Sequence, residues 1–479
     1  MQLIFEKSKK GRKGIKLPDL DVAQEEISEK YKREKAPNLP EVSELDVIRH
    51  FTKLSQLNFS IDTHFYPLGS CTMKYNPKFA EQIANLEGFL NLHPFLPYIL
   101  EDTVQGALEI IYKTERLLCE ITGMDAFTMT PLAGAHGELT GLLLISAFHK
   151  HYGKKKKYII VPDSSHGTNP ASAAVCGYDV IVIPTDKDGC MDLNIYREKL
   201  NEEVAAIMLT CPNTLGLFNP HIKEIADLAH KAGALMYYDG ANLNAIMGKM
   251  RPGDIGFDIV HLNLHKTFAT PHGGGGPGAG PVGVKKELVK FLPIPRIIKK
   301  ENESFTLKFD CPDSIGYISP FYGNFIVILK AYAYILLLGK SGLMAVSEHA
   351  VLNANYIRVR LKDYYDLPYD RICMHECVFS AKKQAKNGVR AIDIAKYLID
   401  KGFHPPTVYF PTIVKEALMI EPTETESKET LDRFIETMIE IAKLAEKKPQ
   451  ILKNAPLTTP VKRLDEVKAA RDLDLRWKP

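Results

Sequence analysis

Five short apolar runs, at residues 158–161, 178–183, 204–209, 235–238 and 259–264, recur along the chain with room for a helix between each pair. Runs of this length, rich in β-branched and aromatic residues and bounded by turn formers, read as strands. Strands separated by helical patterns cannot be closed by hairpins, so the pattern predicts a mainly parallel sheet with helices on both faces. This α/β domain is expected to span residues 76–325. Residues 1–75 are charged and punctuated by Pro18, Pro37 and Pro40, with a helical piece near 42–57, and read as an arm that packs on a partner. From 326 the order changes to long helices, a strand-like stretch at 371–379, a helix at 391–400 and a strand at 416–420. A last helix repeats Leu431, Phe434, Ile435, Met438, Ile439 and Ala442 on one face, with Ser427 as its cap. A smaller α+β domain is therefore expected over 326–447, followed by a tail, 448–479, that carries three prolines before Lys462 and ends near Trp477.

Composition narrows the classes. Hydrophobic residues make up 45% and charged residues 25%, with a net charge of +3, too balanced for a nucleic-acid footprint. The Lys154 to Lys157 run precedes a strand and reads as a solvated loop. The first residues run at once into a Lys-rich stretch with no longer apolar core, and the most apolar span, 332–338, is too short to cross a bilayer, so a cytoplasmic protein without a membrane partner is expected. Eight cysteines are scattered without metal-ligand spacing. Cys373 and Cys377 flank His375 in an apolar run that reads as a buried strand, and no metal site is expected. Glutamine is scarce, with about seven residues, as in thermophile usage.

The chemistry concentrates at Asn263-Leu264-His265-Lys266-Thr267-Phe268, which runs into the glycine-rich stretch Gly273-Gly274-Gly275-Gly276-Pro277-Gly278. A single lysine between a strand and a backbone too glycine-rich for a helix suits an amine at a strand end facing a cleft. The order G-x-x-x-x-G-K-[ST] is absent, because Lys266 precedes the glycines, so a nucleotide triphosphate loop is excluded. A covalent lysine matches pyridoxal phosphate. Upstream, a buried strand ends in Asp239, placed to keep a pyridine nitrogen protonated. Earlier still, Thr130-Pro131-Leu132-Ala133-Gly134-Ala135-His136-Gly137-Glu138 opens an apolar helix. Its free N–H groups could receive a phosphate, and His136 could stack on a planar ring. His166-Gly167-Thr168-Asn169-Pro170 and Cys211-Pro212-Asn213-Thr214 are polar loops at strand ends, where open α/β sheets collect ligands.

With His64-Phe65-Tyr66-Pro67-Leu68-Gly69-Ser70-Cys71-Thr72-Met73-Lys74-Tyr75-Asn76-Pro77 and His93-Pro94-Phe95, these motifs form an ordered set from His64 to beyond Tyr409 that resembles the glycine cleavage system P-protein family, glycine dehydrogenase (decarboxylating). The length of 479 residues is similar to the C-terminal half of the long single-chain form, and so to the second subunit of the split form. The resemblance implies an aminotransferase-like fold type I, pyridoxal phosphate on Lys266, and a homologous subunit 1 completing an α2β2 tetramer. It further implies that glycine displaces Lys266, loses its carboxylate as carbon dioxide, and passes its remaining carbon to a disulfide sulfur on the lipoyl arm of H-protein. No nicotinamide is required, and no strand is followed by G-x-G-x-x-G with an acid beyond it. Asn242 occupies the place of the residue that faces the ring hydroxyl, with Asn213 a second candidate. Gly134, Ala135 and His265 are candidates for the phosphate shell, and His166 and Thr168 for the glycine or ring side of the pocket. Two alternatives stay open: another fold type I enzyme, such as a cysteine desulfurase, aminotransferase or aldolase, and a non-catalytic scaffold subunit, which would be expected to lack the lysine.

Overall fold

The run 204–209 is apolar at every position, a pattern suited only to a strand covered on both faces, and all six of its residues are buried. It lies in the interior of a sheet built, among the described residues, from β1 (Ala126–Thr128), β2 (Tyr158–Pro162), β3 (Asp179–Ile183), β4 (Val204–Leu209), β5 (Leu235–Gly240), β6 (Ile259–Leu262) and β7 (Val282–Val284). The computed structural model describes residues 2–273, 276 and 278–476, so Gly274, Gly275 and Pro277 of the glycine-rich run, and Trp477 of the tail, lie outside the described residues. The strand order is β1-β7-β6-β5-β4-β2-β3. Strands β3, β2, β4, β5 and β6 are parallel, while β7 runs antiparallel to β6 and to β1. The carboxyl ends of β2, β4, β5 and β6 consequently share one edge, and the polar loops gather there. A separate hairpin pairs β8 (Arg296–Lys299) with β9 (Phe305–Lys308).

The longer helices, with one short turn, are α1 (Glu44–Ser55), α2 (Gln105–Thr122), α3 (Gly134–His151), α4 (Thr168–Val175), the single turn α5 (Leu264–Thr267), α6 (Phe325–Leu361), α7 (Ala391–Asp400) and α8 (Lys428–Lys447). Two cores flank the large sheet, one holding Leu108, Ile207, Met236 and Val260, the other Leu142, Ile159, Met208 and Tyr237. From Ala206 onward in β4, and along β5, successive residues point to opposite cores, as the strand period requires. A third core belongs to the smaller sheet, β10 (Cys377–Ser380), β12 (Ala417–Ile420) and β11 (Thr407–Val408), which is antiparallel throughout. Helix α8 supplies Leu431, Phe434, Ile435, Met438, Ile441, Ala442 and Ala445 to it, and Ser427 caps the helix by accepting from the Thr430 N–H.

Several expectations shift. The stripe on α8 turns through Ile441 instead of Ile439, which is half-buried. Lys266 sits in a helical turn, because β6 stops at Leu262 and Asn263 starts α5. The strand expected at 371–379 is confined to its end, with Cys373 and His375 buried in the irregular approach to it. Compact packing divides the chain into Met1–Thr63 with Pro456–Pro479, and His64–Ala455. Residues 64–75, expected in the arm, belong to the second unit, because Phe65 enters the core of the small sheet and Leu68 bridges to Ile420. Leu452 and Ala455 join that same core, so the tail begins later than 448. The boundary expected at 325 falls instead inside a shared element. Helix α6 places Val327, Ile328 and Val346 in a core of the large sheet and Ala354, Ile357 and Leu361 in that of the small one. By length and composition α6 could cross a membrane. Here it is a core helix, broken by Gly339 at φ 56°. Within the first unit, Ser43 caps α1 through the Asp46 N–H, and Arg12 pairs with Asp46 at 2.9 Å.

Helix α3 approaches the sheet closely at Gly141, where an added Cβ would lie 2.2 Å from the Tyr237 ring. Gly141→Val is therefore expected to cost about 1–3 kcal/mol through overpacking. A thermal midpoint equal to that of the unaltered chain would contradict this packing.

Candidate active site

The edge where the parallel strands end is built around Asp239, the last side chain of β5 before Gly240. It is buried, and its Oδ2 accepts from Asn169 Nδ2 at 2.9 Å while Oδ1 accepts from the Ala241 N–H at 3.1 Å. His261 Nε2 lies 3.3 Å from Oδ1, and the other ring nitrogen of His261 shares a 2.7 Å hydrogen bond with the Tyr237 hydroxyl. Burial alone would raise the Asp239 carboxyl, but His261, Asn169, the Ala241 N–H and Lys266 outweigh it and hold the group below its ordinary range. Asp239 is thus a fixed, buried negative charge.

Lys266 enters the same cavity from α5, and its Nζ donates to the Ser70 carbonyl at 2.7 Å. Ser70 belongs to a segment with left-handed backbone at Ser70 (φ 66°) and Thr72 (φ 36°), conformations that need external support. Three glutamates of the small domain supply it, each gripping alternate residues. Glu376 Oε2 accepts from the Ser70 N–H at 3.0 Å, and Glu421 accepts from the Thr72 N–H at 3.2 Å and from Thr72 Oγ1 at 2.6 Å. Glu424 Oε1 lies 2.8 Å from Lys74 Nζ. Lys74 is buried and also donates to Asn244 Oδ1 at 2.9 Å and the Tyr334 hydroxyl at 3.2 Å. Burial works against its charge, yet Glu424 and Tyr334 prevail and raise its pKa.

The remaining expected residues separate into two groups. Gly134 and Ala135 open α3 on the cavity, where the first-turn N–H groups lack helical partners. A Cβ at Gly134 would meet the Asn263 side chain at 2.7 Å, so glycine is what lets this helix end reach β6. His265, His166 and Thr168 line the cavity too. His265 is neutral, its pKa pushed down to about 4 by burial and by His272 and Lys266. Thr168 Oγ1 donates to the buried Glu138 at 2.8 Å, and His166 Nδ1 shares a 2.8 Å hydrogen bond with the same hydroxyl. His136 is not among the cavity-lining residues; its Nδ1 accepts from the Leu132 N–H at 3.2 Å. Asn213 and Asn242 border the cavity, but their side chains are committed elsewhere. Asn213 Oδ1 accepts from the Leu215 and Leu217 N–H groups, and its Nδ2 donates to the Gly189 carbonyl. Asn242 Nδ2 donates to Glu421 Oε1 at 2.9 Å, and its Oδ1 accepts from the Asn244 N–H.

The cavity has a volume of about 520 Å³, and its far wall comes from the small domain: His375, Glu376, Thr407 and Phe410. No arginine lines it among the described residues. An ionised carboxylate, an amine and a helix N-terminus lining one cavity, with buried Asn263 Oδ1 and His265 Nδ1 without partners among the described residues, suit an anionic, planar, aldehyde-bearing group. Pyridoxal phosphate fits that description.

Sequence reasoning passed over Asn169, Glu138, His261, Ser70, Glu376 and Glu421. The first two and Ser70 lie inside motifs already singled out, and a polar residue between apolar neighbours in β6 was the available signal for His261. Nothing local marks Glu376 or Glu421, whose meaning comes from a loop some three hundred residues earlier in the chain.

Comparison with known proteins agrees with this geometry. Residues 11–307 match the family model described as glycine cleavage system P-protein, and residues 346–457 match glycine dehydrogenase, C-terminal domain. The chain is similar to the probable glycine dehydrogenase (decarboxylating) subunit 2 of Caldanaerobacter subterraneus subsp. tengcongensis, at 61% identity over 99% of this chain and 98% of that one. It is 57% identical to the protein of the same description from Listeria innocua, over 100% and 98% of the two chains. Among solved structures it resembles an inhibitor-bound glycine decarboxylase (P-protein) of the glycine cleavage system, with a TM-score of 0.71, 22% identity and coverage of 85% and 92%. A cysteine desulfurase from Thermococcus onnurineus shares the fold at a TM-score of 0.58 and 16% identity, covering 79% and 95%.

Removing one member of a buried ion pair strands the other, at a cost of about 3–5 kcal/mol. Lys74→Met should therefore lower the thermal midpoint markedly, and adding Glu424→Gln should recover part of the loss. A double variant as unstable as the sum of the two single variants would show that Lys74 and Glu424 are not coupled.

Proposed function

The chain belongs to the glycine cleavage system P-protein family, and on that premise we propose that it acts as the cofactor-bearing subunit of a two-subunit glycine dehydrogenase, passing the aminomethyl group of glycine to the lipoyl arm of an H-protein. It is a fold type I, pyridoxal phosphate-dependent enzyme that decarboxylates glycine. The observation that carries the residue assignment is the convergence of Lys266 and Asp239 on one cavity.

When bound, pyridoxal phosphate supplies the electron-withdrawing ring that makes loss of carbon dioxide from the glycine α carbon feasible. The chain's own residues do the rest. Lys266 offers the amine that anchors the group covalently, from a resting position on the Ser70 carbonyl. Asp239, kept ionised, holds a proton on the ring nitrogen. The opening turn of α3, through Gly134 and Ala135, with His265 beside it, takes the phosphate. His166, on the cavity wall and 5.6 Å from the Phe410 ring, is better placed than His136 to cover a planar ring, with Thr168 orienting it.

The description "subunit 2" borne by the relatives supports a subunit 1, and an α2β2 assembly is the arrangement we propose for it. The eight free cysteines support a reducing, cytoplasmic setting.

The test is exchange of labelled carbon dioxide into glycine by the chain copurified with subunit 1 and supplied with lipoylated H-protein. Absence of exchange in that assembly would refute the activity. Lys266→Ala should abolish the borohydride-trapped cofactor adduct, and an adduct persisting on another residue would displace Lys266 from its role. Asp239→Ala should keep the adduct and lose exchange by on the order of 100-fold or more, as when one preorganised electrostatic partner is removed. Unchanged exchange would remove Asp239 from the mechanism.

A further inference from the structure

Two carboxyls, Glu376 and Glu421, face each other beside the cavity, with one oxygen of each and a ring nitrogen of His375 all within 4.8 Å of one another. All three side chains are buried. Their hydrogen bonding is unequal. Among the described residues, Glu421 accepts from the Thr72 N–H, Thr72 Oγ1 and Asn242 Nδ2, whereas Glu376 accepts from the Ser70 N–H alone. His375 Nε2 stands 3.8 Å from Glu376 Oε1, beyond hydrogen-bond reach. Two like charges at this separation cannot both persist out of water, and the carboxyl with three donors takes the charge while the one with a single donor keeps the proton. The groups facing Glu376 are Glu421 at the end of β12, Lys266 on α5, Cys71 on the loop, and Cys373 and His375 on its own segment. Burial first, then the charge of Glu421, push the Glu376 carboxyl well above its ordinary range against the Ser70 N–H and Lys266. The backbone there is clamped: a Cβ at Gly216 (φ 75°) would lie 2.0 Å from the Glu376 carbonyl oxygen, and the Met374 N–H donates to the Gly216 carbonyl at 2.7 Å.

We propose that Glu376 is the general acid of the transfer step, giving its proton to the sulfur displaced when the lipoyl disulfide is opened. This rests on the activity proposed above. In that step a bond forms between the glycine α carbon and one sulfur, and the S–S bond breaks. Its electron pair goes to the second sulfur, which takes the proton from Glu376 and becomes a thiol. Glu376 is left as a carboxylate and regains a proton from water once the product leaves. Leu68, Cys71 and Phe410 line the same cavity as Glu376 and offer apolar surface to a disulfide-bearing arm.

Two measurements test it. The infrared difference between the cofactor-free chain and its Glu376→Gln variant at neutral pH should contain the carbonyl stretch of a protonated buried carboxyl. Absence of that band from the difference overturns the proposal. In the assembly with subunit 1, using lipoamide as acceptor, Glu376→Gln should slow thiol formation on the order of 100-fold, the usual worth of general acid catalysis, with little change in the KM for glycine. Glu421→Gln removes the like charge, so it should move the alkaline limb of the pH–rate profile to lower pH. An unmoved limb, or undiminished thiol formation in Glu376→Gln, overturns the proposal. Wild-type assembly that exchanges no carbon dioxide into glycine would instead refute the underlying activity.

Discussion

The site depends on a short segment stitched between the two sheets. Ser70, Thr72 and Lys74 are held by Glu376, Glu421 and Glu424, which flank the small sheet, while Asn242, Asn244, Tyr334 and Lys266 hydrogen-bond to the same residues. The left-handed backbone at Ser70 and Thr72 presents their N–H groups to Glu376 and Glu421, while Lys74 reaches Glu424 through its side chain. Because the amine that carries the chemistry rests on a carbonyl of this segment, each glutamate contact also fixes where Lys266 waits.

Much of the architecture was legible in the sequence. The runs at 204–209 and 235–238 are apolar because β4 and β5 are covered on both faces, and such residues leave little choice of environment. Helix α8 was equally clear, its cap and stripe both written locally. The failures are of another kind. Residues 64–75 look like part of a polar arm, and only the partners of Phe65 and Leu68, nearly four hundred residues away in sequence, draw them into the small domain. The domain boundary was misplaced because one helix serves both sides.

The site shows the same division. That Lys266 and Asp239 line one cavity could be read from their places at strand ends. His136 could not be judged that way. Its position in the first turn of α3 is as expected, but its ring bonds back to the Leu132 N–H, an orientation that only side-chain geometry reveals. Asn213 and Asn242 carry the right functional groups, yet each spends them on neighbouring backbone or on Glu421. Tertiary demand decided what local pattern left open.

Helix α6 has a consequence of its own. Its first half is packed into the core of the large sheet and its second half into that of the small sheet, so neither core can lose its packing without stripping one side of a helix needed by the other. Two domains that look separable in outline are thereby tied into a single cooperative unit, and fluctuations that open one alone are driven toward the free energy of unfolding both.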